Sequence, residues 1–553
     1  MTRRPLLLLL AFLACAPAPP PRVAPPPPQL ATSGTAQRVV LISFDGLGFD
    51  ALAAQSDLPA FAALGTPTRI VPVTPTATSS AHVSILTGAQ PEVHGVVANR
   101  FHIRGTPVEE TVHGLEAEID VETLVEAARR QGKRVGTVPF PSVDARTARR
   151  TSDFGFAWAA SETSARTLHL GRTDFHREWV PPTWTARPQR RVSYSPIMRA
   201  RIEWSVPQKT RADVDLVAYD TSNDAAENYD LFLVESGERE VVPDARGWFA
   251  ISAQTSEGLY GSWSKLLKSD ATLTDVTIYW GAISRTHAWP ESFQTMLDRE
   301  IGFWPGVVDE KRELDRSIFI DQTNRLADFL TRAQTLAIRR MPFDLLLGYQ
   351  PEVDGASHTR FDQPDVIRAA FVAADRAVTA IRASLDLSRD ALIVTGDHGL
   401  APVDTEVRMN ALISGQPGWR AYASGNVAHL YLEGGRPARQ AAETAAPLIA
   451  TLNATGLFEQ VTKKTAASHR NGGDVVAYAF PHVLLTPSSE APAIAKPSST
   501  ANHGALNTHR ELHTVLFAVG AGTPPGSQGE VSQTHIARFV SQLLGIHAPS
   551  SAE

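Results

Sequence analysis

The sequence predicts an α/β fold, in which helices sandwich a largely parallel sheet, with a mostly β insertion. Apolar, strand-like runs alternate with helix-like periodic segments in both halves of the chain. Between about residues 165 and 310 this alternation gives way to short runs rich in tryptophan and turn residues. The length of 553 residues exceeds what a single hydrophobic core supports, so we expect either one large domain with an insertion or two domains.

The first predicted strand is Arg38–Phe44 (RVVLISF), a continuous apolar run that ends at Asp45-Gly46. Such runs are typical of parallel strands buried on both faces. Three helix-then-strand units follow, predicted as Val121–Gln131 with Arg134–Pro139, Gln322–Arg340 with Phe343–Tyr349, and Pro364–Leu385 with Ala391–Gly396. Because helical connections between parallel strands cover both faces of a sheet, functional residues are expected at the carboxyl ends of these strands.

The middle region is predicted to be mostly β. Its alternating runs are Asp213–Tyr219, Tyr229–Glu235, Trp248–Ala253 and Asp275–Trp280. The alternative is that these runs are long loops of the main sheet. On the first interpretation, residues 37–164 and 311–548 form a catalytic domain, and residues 165–310 form an insertion within it.

The N-terminus is predicted to be an export signal that occupies residues 1–15. Two arginines precede the apolar run Leu6–Ala14, which is too short to span a bilayer. Cys15 closes this run in a sequence that resembles a bacterial lipobox, so we expect a lipid anchor at Cys15 and a periplasmic or outer-membrane-anchored lipoprotein. The alternative is an ordinary cleaved signal. The proline-rich residues 16–36 are predicted to form an extended tether.

Composition narrows the range of functions. The hydrophobic share of 43% and the charged share of 20% are those of a soluble globular protein. A net charge of −6 gives no reason to expect a nucleic-acid partner. Cys15 is the only cysteine, which excludes intrachain disulfides and thiolate metal ligands in the body of the protein. Any metal site must therefore use histidine and carboxylate side chains.

The segment PTATSSAH places a hydroxyl group at the start of a predicted helix. Ser79–Leu86 reads as helical, so Thr78 would lie at the positive end of the helix. Backbone N–H groups and the helix dipole favour an anionic oxygen or a bound phosphate there. The alternative is that Thr78 is only the N-cap of this helix.

Aspartate and histidine residues follow three of the predicted strands, and one more histidine lies near the C-terminus; they are Asp45, Asp354, His358, Asp397, His398 and His503. Asp354 and His358 are four residues apart and converge if the segment is helical. Asp45, taken alone, fits a helix cap equally well. The glycines that flank Asp397-His398 are expected to let backbone approach a ligand closely. Together with Thr78, this donor set suits two four-coordinate zinc ions that share a substrate phosphate.

The spacing around Thr78 resembles that of the alkaline phosphatase superfamily, and within it the nucleotide pyrophosphatase/phosphodiesterase family. Counted from its threonine nucleophile, the family has His at +4, Thr-Gly at +9 and +10, Pro at +13, His-Gly at +16 and +17, and Asn at +21. In this register the chain has His82, Thr87-Gly88, Pro91, His94-Gly95 and Asn99. The segments EVDGASH, Asp397-His398-Gly399 and His503-Gly504 also resemble the family's, and the resemblance covers roughly residues 37–160 and 310–530.

The resemblance implies an alkaline-phosphatase-like fold and a hydrolase that binds two Zn²⁺ ions and acts on a small phosphate ester. It implies that one zinc is held by Asp354, His358 and His503, and the other by Asp45, Asp397, His398 and the Thr78 oxygen. Thr78 is implied to be the nucleophile and Asn99 a donor to a non-bridging phosphoryl oxygen, whereas His82 and His94 are implied to be structural. The chain departs from the family at Ser80-Ala81 and Ser357, which bears on the pocket wall and removes no ligand.

The residues after the second predicted strand bear on which bond is cleaved. Monoesterases of the superfamily add cationic side chains to the site, whereas the corresponding turn here, Pro141–Asp144, has none. Arg146, Arg149 and Arg150 follow it, and either fold back or form a solvated basic turn. We therefore predict phosphodiester or pyrophosphate hydrolysis through a phospho-threonine intermediate, with phosphomonoester hydrolysis as the alternative.

Two further classes of function are weighed against this prediction. A sulfatase needs a Cys/Ser-x-Pro-x-Arg motif at the nucleophile, and Thr78 does not stand in one. A surface lipoprotein that only binds ligands is expected to have lost some of the metal ligands. All seven positions here carry side chains that are competent to bind metal, which favours an enzyme.

Overall fold

The computed structural model describes residues 30–177, 192–206, 210–236, 239–308, 314–433 and 438–552. The predicted export signal, Cys15 and most of the proline-rich tether lie outside the described residues. None of the described helices is both long and apolar enough to cross a membrane.

A nine-stranded mixed sheet forms the centre of the molecule. Its strands are β1 Arg38–Phe44, β2 Thr68–Val71, β3 Val135–Val138, β4 Phe154–Ala157, β5 His287–Trp289, β6 Leu345–Gln350, β7 Asp390–Gly396, β8 Thr514–Gly520 and β9 Glu530–Ser532. Their spatial order is β5-β4-β3-β6-β1-β7-β8-β2-β9. The four strands predicted from the sequence are β1, β3, β6 and β7, and they lie side by side in parallel at the middle of the sheet.

Helices cover both faces of this sheet. The longer helices of the described residues are α1 Thr78–Thr87, α2 Leu124–Arg130, α3 Glu291–Glu300, α4 Arg316–Arg340, α5 Glu352–Arg360, α6 Pro364–Arg382, α7 Ala438–Asn453 and α8 His535–Leu544; the short ones are Phe49–Ala53, Pro59–Ala63, Pro91–His94 and Met409–Leu412. Of these, α7 and Met409–Leu412 belong to a separate core and not to the central sheet. Successive residues of β1 point to opposite faces. Val40 and Ile42 belong to a core with α4 and α6, whereas Val39 and Leu41 belong to a core with α1, α2 and α8. The predicted α/β sandwich is confirmed.

The described part of residues 165–310 forms two antiparallel sheets. One contains Arg166–Leu170, Trp248–Thr255, Gly258–Lys268 and Val276–Trp280, and the other contains His176–Arg177, Met198–Val206, Thr210–Tyr219, Leu231–Ser236 and Arg239–Val241. The two sheets bury a common core that includes Trp204, Phe249 and Tyr260. The mostly β character is confirmed, and the alternative of long loops is wrong. The same region also supplies β5 at the edge of the central sheet.

Smaller sheets occur that the sequence did not predict. Trp419–Ser424, Val427–Leu432, Phe458–Lys463 and Val475–Ala479 form a four-stranded antiparallel sheet, and Thr405–Arg408, Val483–Thr486 and Ile494–Ala495 a three-stranded one. Two-stranded pairs join Arg100–His102 to Thr111–His113 and Ala401–Pro402 to Ala501–Asn502. The strand Ala501–Asn502 ends directly before His503, so this last pair positions His503.

Candidate active site

Three neighbouring strands bring three carboxylates to one edge of the sheet. The last residue of β1, Phe44, lies in register with Gln350 of β6 and Gly396 of β7, so all three strands end together. The chain then continues at this edge in each case. It thereby delivers Asp45 after β1, Asp354 from the first turn of α5, and Asp397 after β7.

Each of these carboxylates has an oxygen that no protein group satisfies. Asp397 Oδ1 accepts hydrogen bonds from the backbone N–H groups of Gly46 and His398 at 3.0 and 2.9 Å. Asp45 Oδ2 accepts one from the Tyr349 hydroxyl at 2.5 Å. In contrast, Asp45 Oδ1, Asp354 Oδ1 and Asp397 Oδ2 are buried without a hydrogen-bond partner. Buried unpaired carboxylate oxygens are costly, so their convergence fits a bound cation.

The three histidines predicted to be ligands share one hydrogen-bonding pattern. Each has its Nδ1 on a backbone carbonyl: His358 on Ala501 at 3.1 Å, His398 on Gly399 at 3.2 Å, and His503 on Thr76 at 3.0 Å. Because a carbonyl only accepts, Nδ1 carries the proton and Nε2 keeps its lone pair. Histidines that bind metal are commonly held in this way.

The Nε2 atoms face the carboxylates. His398 Nε2 lies 3.1 Å from Asp397 Oδ2 and 3.6 Å from Asp45 Oδ1. Asp354 Oδ1 lies 3.4 Å from His358 Nε2 and 3.7 Å from His503 Nε2. The structure therefore brings together all six side chains that the sequence analysis named as metal ligands besides Thr78.

Two overlapping groups have ligand atoms within 4.8 Å of one another: Asp45, Asp397 and His398, and Asp354, His398 and His503. The first group matches the set assigned to one ion. In the second group His398 stands where the sequence assignment had His358, because the His398 and His503 rings stack with their centroids 3.7 Å apart. His358 approaches Asp354 along α5, so the donors form one continuous cluster.

The electrostatics of the cluster also favour a cation. Burial raises the pKa of Asp397 to about 7, and the charge of Asp354 adds to the effect. Burial likewise raises the pKa of Asp45 well above its ordinary value. Burial also acts to raise the pKa of Asp354, but His358, His503 and His398 together outweigh it and the pKa is lowered. Burial lowers the pKa of His503 to about 4, which keeps its imidazole neutral, as metal binding requires.

Thr78 stands at the edge of this cluster. Ala77 takes the N-cap position of α1 and Thr78 is the first helical residue, so the alternative of Thr78 as the N-cap does not apply. Thr78 Oγ1 lies 3.1 Å from His398 Nε2, and the residue is partly exposed. The hydroxyl therefore lies beside both the candidate metal ligands and the N-terminal turn of a helix.

The two serines that follow Thr78 differ from it in access. Both are fully buried, and the Ser80 hydroxyl donates to the Val96 carbonyl at 2.9 Å. The backbone N–H of Ser79 donates to Asn99 Oδ1 at 2.9 Å, which ties Asn99 to the first turn of α1. This contact leaves the amide nitrogen of Asn99 to donate to a ligand at the same helix end.

His82 and His94 are engaged at both ring nitrogens. His82 contacts the Thr78 carbonyl at 2.9 Å and the Ser43 hydroxyl at 3.0 Å. His94 contacts the Ser84 hydroxyl at 3.0 Å and accepts from the backbone N–H of Val96 at 3.1 Å. Burial lowers the pKa of His82 to about 4 and that of His94 to about 3. Both serve to hold the α1 segment in place as neutral rings.

The glycines beside Asp397-His398 make room for a neighbouring segment of the protein. A Cβ atom at Gly396 would lie 2.2 Å from Thr514 Oγ1, and one at Gly399 would lie 2.2 Å from the Glu511 carbonyl oxygen. A side chain at either position would therefore clash with the segment of the same chain that leads into β8. That these glycines also let the backbone approach a ligand closely stays a prediction.

The three arginines that follow Pro141–Asp144 all form ion pairs with carboxylates. These join Arg146 to Glu116 at 2.8 Å, Arg149 to Glu126 at 2.7 Å and Arg150 to Asp144 at 2.8 Å. Arg150 is 8% exposed and also donates to the Ala117 carbonyl, so it is a buried link between loops rather than part of a solvated turn. In the described residues, the ion pairs of the three site carboxylates are with histidines alone.

Two residues near the site had no predicted role. Tyr349 donates to Asp45 because Tyr349 and Ser43 are in register between β6 and β1, a pairing that a single sequence does not reveal. Glu352, in the first turn of α5, is buried, and burial raises its pKa to about 8. Its position in PEVD, two residues before Asp354, is the only sequence signal for it.

Comparison with solved structures shows the same architecture. Human ectonucleotide pyrophosphatase/phosphodiesterase 5 is 12% identical, with a TM-score of 0.52 over 93% of this chain and 96% of that chain. The murine protein of the same name gives a TM-score of 0.51 at the same identity and coverage, also as an inactive form in complex with AMP. None of the curated protein sequences matches the chain. The fold is therefore alkaline-phosphatase-like, as the resemblance of the motifs implied.

A family model identifies the chain more directly. Residues 39–239 and 260–506 match the model described as type I phosphodiesterase / nucleotide pyrophosphatase. The match includes much of the region 165–310, which the motif-based resemblance had left out. It also includes the segment that carries Thr78 and every residue predicted to bind metal. The chain belongs to the type I phosphodiesterase/nucleotide pyrophosphatase family of phosphoester hydrolases.

Proposed function

We propose that the protein hydrolyses phosphodiester or pyrophosphate bonds, with Thr78 as the nucleophile at a centre of two zinc ions. The observation that carries the proposal is the position of Thr78 Oγ1, 3.1 Å from His398 Nε2 at the first residue of α1. A helix N-terminus stabilises phosphate, and the adjacent ligands supply the means to activate a weak hydroxyl nucleophile. The inactive murine relative in complex with AMP carries a threonine-to-alanine substitution, which agrees with a threonine nucleophile.

The donor set fits zinc. One ion would be held by Asp354, His358 and His503, and the other by Asp45, Asp397, His398 and the Thr78 oxygen. The unpartnered carboxylate oxygens and the Nε2 atoms that face them support this assignment, since catalytic zinc is held by about three nitrogen or oxygen ligands and keeps a position open for substrate. When bound, zinc would lower the pKa of the attacking oxygen and neutralise charge on the phosphate and the leaving oxygen.

The reaction consists of two successive displacements at phosphorus, and residues of the protein take part in both. Thr78 Oγ1 gives up its proton to solvent and attacks phosphorus in line, the P–O bond to the leaving oxygen breaks, that oxygen leaves as an anion or takes up a proton from solvent, and phospho-threonine forms. Water then attacks the same phosphorus and breaks the bond to Thr78, which regains its proton. Asn99 Nδ2 donates to a non-bridging oxygen, together with first-turn backbone N–H groups of α1 other than that of Ser79, which already donates to Asn99 Oδ1. These contacts meet the negative charge that builds up on the non-bridging oxygens in each transition state. Two inversions give net retention at phosphorus.

The ion pairs of the three arginines with carboxylates support hydrolysis of diesters over hydrolysis of monoesters. A monoester carries one more negative charge, and Arg146, Arg149 and Arg150 are held by carboxylates elsewhere. We expect kcat/KM for bis-p-nitrophenyl phosphate to exceed that for p-nitrophenyl phosphate with the zinc-loaded protein. A monoester preference above about tenfold, or 1.4 kcal/mol, would instead establish a phosphomonoesterase.

We further propose that Cys15 carries a lipid anchor that holds the exported enzyme at a membrane, with the proline-rich tether as spacer. Replacing Cys15 with serine is expected to move the protein from the membrane fraction to the soluble fraction in a bacterial host. The measurement is immunoblotting of both fractions together with metabolic labelling by palmitate. Unchanged fractionation and an unlabelled parent protein would indicate an ordinary secretory signal.

A further inference from the structure

A cavity lies where the β insertion meets helix α4, and the mechanism above does not use it. Its volume is about 260 Å³. The strands Gly258–Lys268 and Val276–Trp280 line one side, α4 lines another, and the segments 161–165 and 305–308 at the two ends of the insertion complete the wall. The described residues that line it include none of the proposed metal ligands. The cavity is therefore distinct from the catalytic centre.

Arg325 of α4 is the one charged side chain among the described residues in this wall. Its side chain is 24% exposed, and its Nε atom is buried without a hydrogen-bond partner. In the described part of the chain its one ion pair is with Asp244, whose oxygen lies 3.9 Å from Nη2, too far for a hydrogen bond. A guanidinium group with unused donors is costly to bury, so a cavity that contains this group and no carboxylate favours an anionic ligand.

Two tryptophans hold the guanidinium group of Arg325 in place. Its central carbon lies 3.9 Å from the centroid of the Trp263 ring and 4.7 Å from that of the Trp248 ring. Burial lowers the pKa of Arg325, and the charges of Asp244 and Asp321 offset this effect only in part. Asp321 is itself engaged, since it accepts a hydrogen bond from Trp248 Nε1 at 2.8 Å. Because aromatic contacts use the flat face of a guanidinium group, its N–H edge stays available to a ligand.

The single positive charge of the wall selects the class of anion. A carboxylate carries one negative charge at neutral pH, and its two oxygens match two N–H groups at the edge of a guanidinium group. A phosphate monoester carries nearly two negative charges, so part of its charge would stay uncompensated in a partly buried cavity. The cavity therefore suits a carboxylate better than a phosphate monoester.

The remaining polar wall favours a ligand that carries hydroxyl groups. Its neutral polar side chains are those of Ser161, Thr163, Ser164, Tyr279 and Gln322. The Ser161 hydroxyl accepts a hydrogen bond from Ser284 at 2.9 Å, which leaves its own proton for an acceptor on a ligand. The volume is below the roughly 300 Å³ at which drug-sized pockets begin, so it accommodates a single sugar ring better than a longer chain.

We propose that this cavity is a binding site for a sugar acid, with the carboxylate on Arg325 and the hydroxyl groups on the serine and threonine side chains of the segment 161–165. The site is additional to the one at which the phosphoester is cleaved, and it requires neither zinc nor Thr78. The inference does not depend on which bond the enzyme cleaves, so it is tested separately from the proposed function.

The first experiment compares ligands on the unmodified, zinc-loaded full chain. Isothermal titration calorimetry is carried out with D-glucuronate, D-galacturonate and D-gluconate, with glucose 6-phosphate, and with the neutral primary amide of the acid that binds most tightly. We expect at least one acid to bind with a Kd below about 1 mM. Its amide keeps every hydroxyl group and loses the charge, so we expect the amide to bind at least about tenfold more weakly.

The second experiment repeats these titrations with variants. Arg325→Gln removes the charge and keeps a planar amide, and we expect it to weaken binding of the acid at least about tenfold. Arg332 belongs to the same helix, is 49% exposed and does not line the cavity, so Arg332→Gln is the matched control and is expected to keep the Kd of the parent. Because Arg325 packs against two tryptophans, Ser161→Ala serves as a second variant that leaves these contacts intact, and we expect it to weaken binding about threefold.

Several outcomes would overturn the sugar-acid site. These are a Kd above about 1 mM for all three acids, equal affinities for acid and amide, and a folded Arg325→Gln protein that binds like the parent. If Arg325→Gln does not fold, the comparison of acid with amide and the affinity of Ser161→Ala decide. Glucose 6-phosphate bound more tightly than any acid would overturn the carboxylate in favour of a phosphate ester. Acid binding that saturating inorganic phosphate abolishes and Arg325→Gln leaves unchanged would place the acid at the metal centre instead.

Discussion

Replacing Thr78 with alanine is expected to lower kcat by more than about a thousandfold, or about 4 kcal/mol, and to leave the metal content unchanged. Thr78 carries the one hydroxyl of the segment 78–80 that is both partly exposed and in contact with His398. The six histidine and aspartate ligands remain, so both metal sites stay defined. Steady-state rates on bis-p-nitrophenyl phosphate and zinc analysis of the same purified samples measure the two effects.

Substitutions of the same hydroxyl and of its neighbour provide the controls. Thr78→Ser keeps an attacking oxygen and is expected to retain far more activity than Thr78→Ala. Ser80→Ala removes a hydroxyl that donates to the Val96 carbonyl, so we expect a stability loss of about 1 kcal/mol with turnover preserved. Activity of Thr78→Ala above a thousandth of the parent, together with an inactive Ser80→Ala, would transfer the nucleophile role to Ser80.

The centre of the fold was predictable because its strands are buried on both faces. A strand that is buried on both faces, such as Arg38–Phe44, is recognised in the sequence as a nearly continuous apolar run. The residue that follows it therefore lies at the carboxyl-end edge of the sheet. The same holds for the strands before Asp354 and Asp397. The helix that begins near Thr78 was also visible, and its observed range, Thr78–Thr87, differs from the prediction by one residue at each end.

What could not be predicted depends on contacts between distant segments. His503 is oriented by the Thr76 carbonyl and His358 by the Ala501 carbonyl, and neither partner has a side-chain signature. Helix α4 begins at Arg316, six residues before the predicted start, and the Asp315 carboxylate accepts a hydrogen bond from the backbone N–H of Ser317 at this end. Ile318 and Phe319 of the first turn are buried, so the capping residue and the apolar pattern together could have indicated the earlier start.

Replacing Asp397 with asparagine is expected to remove zinc and activity together. Asp397 Oδ1 holds the backbone N–H groups of Gly46 and His398, whereas Oδ2 is unpartnered and lies 3.1 Å from His398 Nε2. An asparagine oxygen can keep both backbone contacts, and its NH₂ group then replaces the oxygen that would bind metal. Loss of residues that only orient ligands costs about 10–100-fold in affinity, so we expect zinc to bind at least about 100-fold more weakly.

In the absence of metal, Asp397→Asn is not expected to lower the thermal stability of the protein. At pH 8 Asp397 is ionised above its raised pKa of about 7, buried and close to the charge of Asp354. Removing this charge relieves the repulsion, so metal-free Asp397→Asn is expected to melt no lower than the metal-free parent. Added zinc is expected to raise the Tm of the parent far more than the Tm of Asp397→Asn. Asp404→Asn, which changes an exposed carboxylate, should keep the zinc response of the parent. A fully metallated and active Asp397→Asn protein would contradict the ligand assignment, and a metal-free variant that melts well below the parent would show that Asp397 holds the fold itself.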